Sequence, residues 1–286
     1  MWFDALTNYI TAGYADDPAR FSRTWPADVH VIGKDILRFH AIYWPAMLMA
    51  AGLELPRTVW AHGFLTVGGK KMSKTNATGI HPFELIDRFG TDSYRYYFMR
   101  EVRFGEDGSF SWESMLERHN ADLANGLGNL ASRVLAMLET SFGGVVPEPR
   151  SAGVEEDLPD VVASAVAAVD EHMLALRIQQ GLAAIWTIVD RANGYLVERQ
   201  PWKLAKDPAR RDELAGVLYA SVELLRILAI LIRPVMPGAA ERLWEQLGIV
   251  EPLDGRRVPR DVAWGGLRPG TRTVRGGPLF PRIEPD

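Results

Sequence analysis

Segment 68–75 has the residue types that bind a polyphosphate. It reads Gly-Gly-Lys-Lys-Met-Ser-Lys-Thr, so three lysines fall within five positions beside a glycine pair and two hydroxyl side chains. Glycines let the backbone approach a ligand, ammonium groups neutralise its charge, and hydroxyls donate hydrogen bonds. The chain has six lysines against 26 arginines and places half of its lysines here. The alternative interpretation is a solvated turn between a strand and a helix.

Strands and a helix precede this segment. Val29–Ile32 is a short β-branched run that ends at Gly33, and a helical pattern containing Pro45 extends over 36–51. Residues 58–67 are rich in valine, tryptophan, phenylalanine and threonine and stop at the glycine pair, which predicts a strand entering a tight turn. Strands interleaved with helices predict an α/β layer.

The second half has a helical period. Five apolar residues recur on one side of a helix predicted over 114–140, namely Leu123, Leu127, Leu130, Val134 and Leu138. A connector rich in proline and glycine covers 143–159, and further helices are predicted over 160–198, 209–232 and 238–247. Asp207-Pro208 is typical of a helix start. The residues after Gly248 predict an irregular strap.

The composition excludes several classes of protein. The net charge of −4 argues against a protein that coats nucleic acid non-specifically, because such binding depends on phosphate neutralisation. The chain has no cysteine, which excludes disulfides and cysteine-ligated zinc within it. The apolar stretch 217–232 is interrupted by charged residues, as in a core helix, and no signal segment opens the chain. We therefore expect a cytoplasmic protein without a membrane partner.

Segment 68–75, with the string Lys-Met-Ser-Lys-Thr, resembles the KMSKS motif of class I aminoacyl-tRNA synthetases, with Thr75 at the usual final serine. The flanking segments are similar to the methionyl-tRNA synthetase family: 2–9 (WFDALTNY), 30–40 (HVIGKDILRFH), 43–46 (YWPA) and 104–111 (FGEDGSFS). The resemblance extends to the tail at 279–283. Leucyl and valyl synthetases are alternatives within the class, and the 2–9 segment argues against them.

This resemblance implies a fold class and a domain order. We expect α/β plus all-α, namely the C-terminal part of a Rossmann-like catalytic domain followed by an anticodon-binding helical bundle. The expected boundaries are 1–75 for the catalytic part, 76–113 for a connecting region, 114–250 for the bundle and 251–286 for the strap. A monomer is expected.

The resemblance also assigns residues to ATP and methionine. Lys71, Ser73 and Lys74 are the implied catalytic residues, and both lysines stabilise charge on the phosphates of ATP, which binds with Mg²⁺. Gly33 and Asp35 are implied at the ATP ribose. The implied methionine pocket has six members: Trp2, Ala5, Tyr9, Phe39, His40 and Trp44. Aromatic edges suit a polarizable thioether, whereas the alternative for these side chains is ordinary core packing.

The bundle carries the implied tRNA site. Asn125, Asn129 and Arg133 recur every four residues and form a polar stripe opposite the leucines. The family resemblance of 129–133 and of 201–206 implies that Asn129, Arg133 and Trp202 recognise the CAU anticodon of methionine tRNAs, because unstacked bases bind aromatic, amide and guanidinium groups. The alternatives are a solvated helix face and a packing residue after Pro201.

The function implied is methionine–tRNA ligase. The chain contains no match to the upstream HIGH-type motif, and the family's zinc-bearing insertion also lies upstream, so zinc is expected only in an N-terminal part outside these residues. Met1 is interpreted as a start inside a longer gene. Two alternatives stay open: a stand-alone, non-catalytic tRNA-binding module that recognises CAU, and a scaffold without tRNA affinity.

We predict that the 286-residue chain alone does not activate methionine, because the motif that holds ATP is not among its residues. The measurement is methionine-dependent ATP–pyrophosphate exchange by the purified chain, with a reaction lacking methionine as the control. Exchange well above that control would contradict the prediction.

Overall fold

The computed structural model describes residues 2–14, 18–67, 70–71, 81–103, 105–150 and 157–285. The chain divides into two compact units. Unit 1 comprises residues 1–78 and 103–109, and unit 2 comprises residues 79–102 and 110–286.

Unit 1 contains short helices and a small parallel sheet. Its described elements are α1 (Trp2–Leu6), α2 (Asn8–Tyr14), α3 (Pro18–Thr24), β1 (Val29–Gly33), α4 (Trp44–Ala50), β2 (Thr58–His62), β3 (Leu65–Val67) and β4 (Lys70–Lys71). Strands β1 and β2 are parallel, with Val29 opposite Thr58 and Gly33 opposite His62. Their carboxyl ends therefore meet at one edge, which is where open α/β sheets bind ligands.

The prediction of one strand over 58–67 was wrong, because β2 and β3 belong to different sheets. The chain bends at Gly63, where a Cβ atom would lie 2.0 Å from the carbonyl oxygen of Glu106. The next amide, that of Phe64, donates to the Asp107 carboxylate at 2.8 Å. Strand β3 then pairs antiparallel with β4, so the chain reverses between Val67 and Lys70, as predicted.

The predicted helix over 36–51 is present, but its middle is a π-helix. A 3₁₀ turn at Lys34–Ile36 leads into a π-helical segment at Phe39–Tyr43, and α4 follows directly. Pro45 lacks an amide hydrogen and its ring would clash with a carbonyl four residues earlier in a regular α-helix. The π segment is the expected local adjustment to such a residue.

Unit 2 is a helical bundle. Its described elements are α5 (Pro82–Phe89), α6 (Thr91–Glu101), β5 (Gly108–Phe110, which begins in unit 1), α7 (Trp112–Arg118), a π-helix (His119–Gly128), α8 (Asn129–Phe142), α9 (Leu158–Leu174), α10 (Ile178–Arg199), α11 (Pro201–Leu204), α12 (Arg211–Ile232) and α13 (Pro237–Gln246). The helix predicted over 114–140 is confirmed, and its five predicted apolar residues are buried.

The single helix predicted over 160–198 was wrong. The chain turns between α9 and α10, where Leu176 has a φ of 56°. This left-handed conformation usually favours glycine, so the local sequence gives no signal for the break. The apolar faces of the two helices join the same core through Val162 and Leu182, and this packing requires the reversal.

Helix α12 is the centre of the bundle, and every residue from Leu214 to Ile232 is buried. Among the described residues, the segment Pro208–Ile232 alone is long and apolar enough to cross a membrane, but 94% of its most apolar window is buried inside the protein. The helix start predicted at Asp207-Pro208 is confirmed, since the Asp207 carboxylate accepts from the Ala209 amide at 3.0 Å.

A buried ion pair on α12 fixes the strap, which is residues 251–286. The Glu223 carboxylate accepts from the Arg226 guanidinium at 2.7 and 2.8 Å. It also accepts from the amides of residues 265–267 at 2.8 to 3.0 Å. Arg226 in turn donates to the carbonyl oxygens of Asp261 and Ala263. Both charges are therefore fully hydrogen-bonded, as buried charges must be.

We predict that Glu223→Ala lowers the free energy of unfolding by about 3–5 kcal/mol, because it leaves the Arg226 charge buried and unpaired. Urea denaturation followed by circular dichroism measures this change. The matched control is Glu213→Ala on the same helix, where a partly exposed pair with Arg210 should contribute less than about 1 kcal/mol. Equal effects of the two substitutions would refute the prediction.

Candidate functional site

A hydrogen-bonded pair of side chains lies at the centre of the aromatic cluster in unit 1. The Tyr9 hydroxyl is 2.8 Å from Nε2 of His40, and Nδ1 of His40 is 3.0 Å from the carbonyl oxygen of Ile36. A carbonyl can only accept, so Nδ1 carries a proton, and in the neutral imidazole Nε2 accepts from Tyr9. The Tyr9 hydroxyl therefore donates its proton to the hydrogen bond with His40. The Tyr9 oxygen can then only accept hydrogen bonds from a ligand.

The aromatic cluster around this pair contains three more of the predicted pocket residues, Trp2, Phe39 and Trp44. Trp2 stacks on Phe39, with ring centroids 4.3 Å apart and planes inclined by 13°. Trp44 is buried, and its ring centroid lies 6.0 Å from that of Tyr9. Ala5 is exposed and belongs to α1, the short helix that also carries Trp2. The structure thus brings five of the six predicted residues together in one aromatic cluster.

An apolar groove of about 910 Å³ opens beside the cluster. Trp2, Phe39 and Trp44 line it together with Leu6 and Met47. Tyr9, His40 and Ala5 do not line it. The groove can therefore take an apolar side chain, whereas the polar pair lies outside its walls.

His30 is a member of the cluster that the sequence analysis did not identify. Its Nε2 accepts from the Trp44 indole at 3.3 Å, and its ring centroid is 4.4 Å from that of Tyr9. Burial, together with the nearby His40, lowers the pKa of His30, so it is neutral near pH 7. Burial likewise raises the pKa of Tyr9. The sequence of β1 does not signal this position, because valines flank His30 and the structure buries His30 while Val31 is exposed.

We predict that Tyr9→Phe lowers the free energy of unfolding by about 1–3 kcal/mol, because it removes the donor to a buried imidazole nitrogen. Tyr43→Phe is the matched control, since Tyr43 is on the same helical run as His40 and is exposed. Long-range ¹H–¹⁵N NMR should also find His40 protonated on Nδ1 in the unsubstituted chain. A proton on Nε2 would refute the hydrogen-bond assignment.

The predicted ATP residues lie at the carboxyl edge of the parallel sheet. Gly33 ends β1, and Asp35 follows in the 3₁₀ turn. A Cβ atom at Gly33 would lie 2.8 Å from Oδ1 of Asp35, so glycine allows the carboxylate to fold back over the strand end. The backbone of Lys71 is in β4, but its side chain, Ser73 and Lys74 lie outside the described residues.

A salt bridge stands at the same edge of the sheet. Lys34 Nζ is 2.6 Å from the Asp107 carboxylate and 4.8 Å from the centre of the Phe64 ring. Asp107 therefore joins the end of β1 to the segment between β2 and β3, where it also binds the Phe64 amide. Residues 104–111 resemble a family segment, but their sequence does not predict this pairing of Asp107.

The candidate anticodon site is on the surface of unit 2. The Arg133 guanidinium lies 5.6 Å from the centre of the Trp202 ring. The Trp202 side chain remains 40% exposed, and Asn129 is exposed one helical turn before Arg133. The structure therefore brings Arg133 and Trp202 into contact and places Asn129 on the same helix face.

The backbone conformation at Gln200 and Pro201 explains why Trp202 lies on the surface. Helix α10 ends at Arg199, and the next residue, Gln200, turns the chain with a φ of 47°. Pro201 then starts α11, where its missing amide hydrogen costs nothing. Pro201 and Leu204 are buried while Trp202 is exposed. The two buried residues thus fix the short helix and direct the indole outward.

A π-helix also precedes the polar side chains of this site. At Gly128, the last residue of the π segment, a Cβ atom would lie 2.9 Å from the carbonyl oxygen of Leu123. Glycine is therefore required where the wide turn closes. Asn129, the next residue, starts the regular helix α8, so the π segment sets the direction in which Asn129 and Arg133 project.

Comparison with known proteins assigns nearly the whole chain. Residues 1–135 match the family model described as tRNA synthetases class I (M), and residues 146–286 match that of the anticodon binding domain of methionyl tRNA ligase. The chain belongs to the methionyl-tRNA synthetase family. The resemblance inferred from segments 2–9 and 68–75 is therefore confirmed.

Curated methionyl-tRNA synthetases resemble the chain along its full length. The methionine–tRNA ligase of Streptomyces coelicolor is 48% identical over 99% of this chain and 54% of its own length. That of Caldanaerobacter subterraneus subsp. tengcongensis is 49% identical over 99% of this chain and 44% of its own length. The chain thus spans about half the length of the curated relatives it matches.

Solved methionyl-tRNA synthetase structures share the fold. The apo form of the Mycobacterium tuberculosis enzyme matches all of this chain and 56% of its own chain, with 40% identity and a TM-score of 0.86. The same enzyme bound by methionyl-adenylate matches 98% of this chain and 55% of its own, with 42% identity and a TM-score of 0.88. The predicted fold class, α/β plus all-α, is confirmed.

Proposed function

We propose that this chain is part of a methionine–tRNA ligase, which activates methionine with ATP and transfers it to methionine tRNAs. The observation that carries the proposal is the similarity of 98% of the chain to a methionyl-tRNA synthetase bound by methionyl-adenylate. In this reaction the methionine carboxylate attacks the α-phosphate of ATP and pyrophosphate leaves. We further propose a monomeric cytoplasmic protein with domain boundaries near residues 75, 113 and 250.

In the proposed reaction, unit 1 binds the small substrates. Lys71 and Lys74 neutralise the charge that develops on the phosphate oxygens, and Ser73 donates a hydrogen bond beside them. Gly33 and Asp35 hold the ribose at the sheet edge, where a carboxylate can accept from sugar hydroxyls. Mg²⁺ enters on the phosphates of ATP, which is how this ion usually binds in nucleotide sites.

We propose that methionine binds against the aromatic cluster of unit 1. The groove lined by Trp2, Phe39 and Trp44 supports an apolar site, since aromatic edges contact a thioether favourably. Tyr9, His40 and Ala5 complete the proposed methionine site beside the groove, since none of them lines it. His30 supports the cluster through its hydrogen bond with Trp44.

We propose that unit 2 reads the CAU anticodon of methionine tRNAs. The exposed indole of Trp202 and the guanidinium of Arg133 above it form a surface on which an unstacked base can lie. The Asn129 amide can both donate to and accept from a base edge. Lys203 and Lys206 are exposed beside Trp202 and can contact the phosphates.

We predict that Trp202→Ala weakens binding of a methionine tRNA by this chain roughly 5- to 150-fold, the range expected for loss of one base stack. Asn129→Ala should reduce discrimination between CAU and a substituted anticodon. Fluorescence anisotropy with labelled tRNA measures both effects. Leu174→Ala, which removes an exposed apolar side chain of α9, is the control and should change neither.

The outcomes of this titration separate the alternatives. Binding that depends on the anticodon and on Trp202 supports the proposal. Binding that is indifferent to the anticodon contradicts the assignment of Asn129, Arg133 and Trp202. No detectable binding at low salt favours the scaffold interpretation.

A further inference from the structure

The strap carries a small excess of positive charge that the proposed function does not use. Residues 251–286 contain seven arginines and five acidic residues, whereas the whole chain has a net charge of −4. Most of these arginines are exposed. The strap is therefore slightly positive, and a strap arginine that no acidic residue neutralises can attract an anion.

The strap is held in a fixed position on the bundle. The amide of Val146 donates to the carbonyl oxygen of Thr271 at 2.9 Å, and that of Thr273 donates to Gly144 at 2.8 Å. Further along, the amide of Val274 donates to Gln246 at 2.9 Å. These backbone hydrogen bonds tie residues 271–274 to the loop after α8 and to the end of α13, so a side chain that follows them has a defined place.

A groove of about 350 Å³ lies between the strap and α8. Its polar lining comes from Ser132, Glu139 and Thr140 of α8, from Gln246, and from Thr273 and Arg275 of the strap. Gly276 allows the strap to lie against the Gln246 side chain, because a Cβ atom at this position would be 2.5 Å from Nε2 of Gln246.

This groove borders the candidate anticodon site. Ser132 lines the groove and Arg133, the next residue, lies over the Trp202 ring. Ala136, which also lines the groove, lies two turns after Asn129 on the same side of α8. The proposed base-reading surface and the groove are thus adjacent faces of one helix.

Arg275, like Arg257 and Arg272, lacks the ion pairs that the other strap arginines form among the described residues. Arg260, Arg268 and Arg282 form ion pairs with Asp261, Glu251 and Glu284 respectively. Arg275 is exposed and makes no ion pair within the part of the chain that the structure describes. The groove also contains one acidic residue, Glu139. Its carboxylate lies close to Gly144, since a Cβ atom built on Gly144 would be 2.5 Å from it.

We propose that the groove between α8 and the strap holds the sugar–phosphate backbone of the tRNA beside the anticodon, with Arg275 as the phosphate contact. The Arg275 guanidinium, the Ser132 hydroxyl and the second N–H of the Gln246 amide can donate to phosphate and sugar oxygens. The Thr140 and Thr273 hydroxyls already donate to the carbonyl oxygens of Ala136 and Gly144. The proposal rests on the proposed function, since the RNA is placed here by the bases on Asn129, Arg133 and Trp202. Contacts to the backbone fix the register of the RNA and carry no sequence information.

The test is a salt titration of tRNA binding by the complete chain carrying Arg275→Gln. We expect affinity to fall about three- to fivefold, by the same factor for CAU and for a substituted anticodon, and the slope of log K against log salt to decrease by about one. Circular dichroism and the thermal midpoint should not change, because Arg275 is exposed.

The matched control is Arg257→Gln. Arg257 is an exposed strap arginine that also makes no ion pair among the described residues, but it lies near Asp261 and does not line the groove. The substitution removes the same charge, so equal loss with both variants would indicate a general electrostatic effect and overturn the proposal.

The Trp202→Ala variant distinguishes failure of the groove proposal from failure of the proposed function. If the unsubstituted chain binds and Trp202→Ala weakens binding while Arg275→Gln does not, the proposed function stands and the groove proposal fails. If the unsubstituted chain does not bind tRNA, both fail. Loss with Arg275→Gln that depends on the anticodon would also overturn the backbone assignment.

Discussion

The buried Glu223–Arg226 pair is the interaction on which the architecture of unit 2 depends. Glu223 is completely buried in the middle of α12 and accepts from three consecutive strap amides, while Arg226 donates to two strap carbonyl oxygens. An ion pair with no further partners would destabilise the core through desolvation. Here the irregular strap supplies those partners, so α12 and the strap satisfy each other.

The consequences of this pairing extend along the strap to the candidate tRNA surface. Once residues 261–267 are fixed, the following residues reach the loop after α8 and then the π-helix. There Nε2 of His119 is 2.8 Å from the Pro281 carbonyl oxygen, and the Asn120 side chain donates to and accepts from Ile283. Burial lowers the pKa of His119, so this contact uses a neutral imidazole. The strap therefore braces the helix from which Asn129 and Arg133 project.

The candidate methionine and anticodon sites each lie at a π-helical segment. His40 belongs to the π-helix Phe39–Tyr43, and Asn129 directly follows the π-helix His119–Gly128. A π turn inserts an extra residue and rotates the side chains after it relative to a regular helix, and such turns are frequent at functional sites. Pro45 and Gly128 are the residues that explain the wide turns.

The sequence by itself determined the family, the fold class and most elements with strong periodicity. Segment 68–75, the five leucine and valine positions of the helix predicted over 114–140, and the Asp207-Pro208 helix start were readable because they depend on residue type and spacing. Only the tertiary structure decided the break at Leu176, the separation of β2 from β3 at Gly63, the burial of His30 and the contact of Arg133 with Trp202. These features depend on segments distant in sequence, such as Glu106 packing against Gly63, and local propensity cannot encode a neighbour that the fold alone supplies.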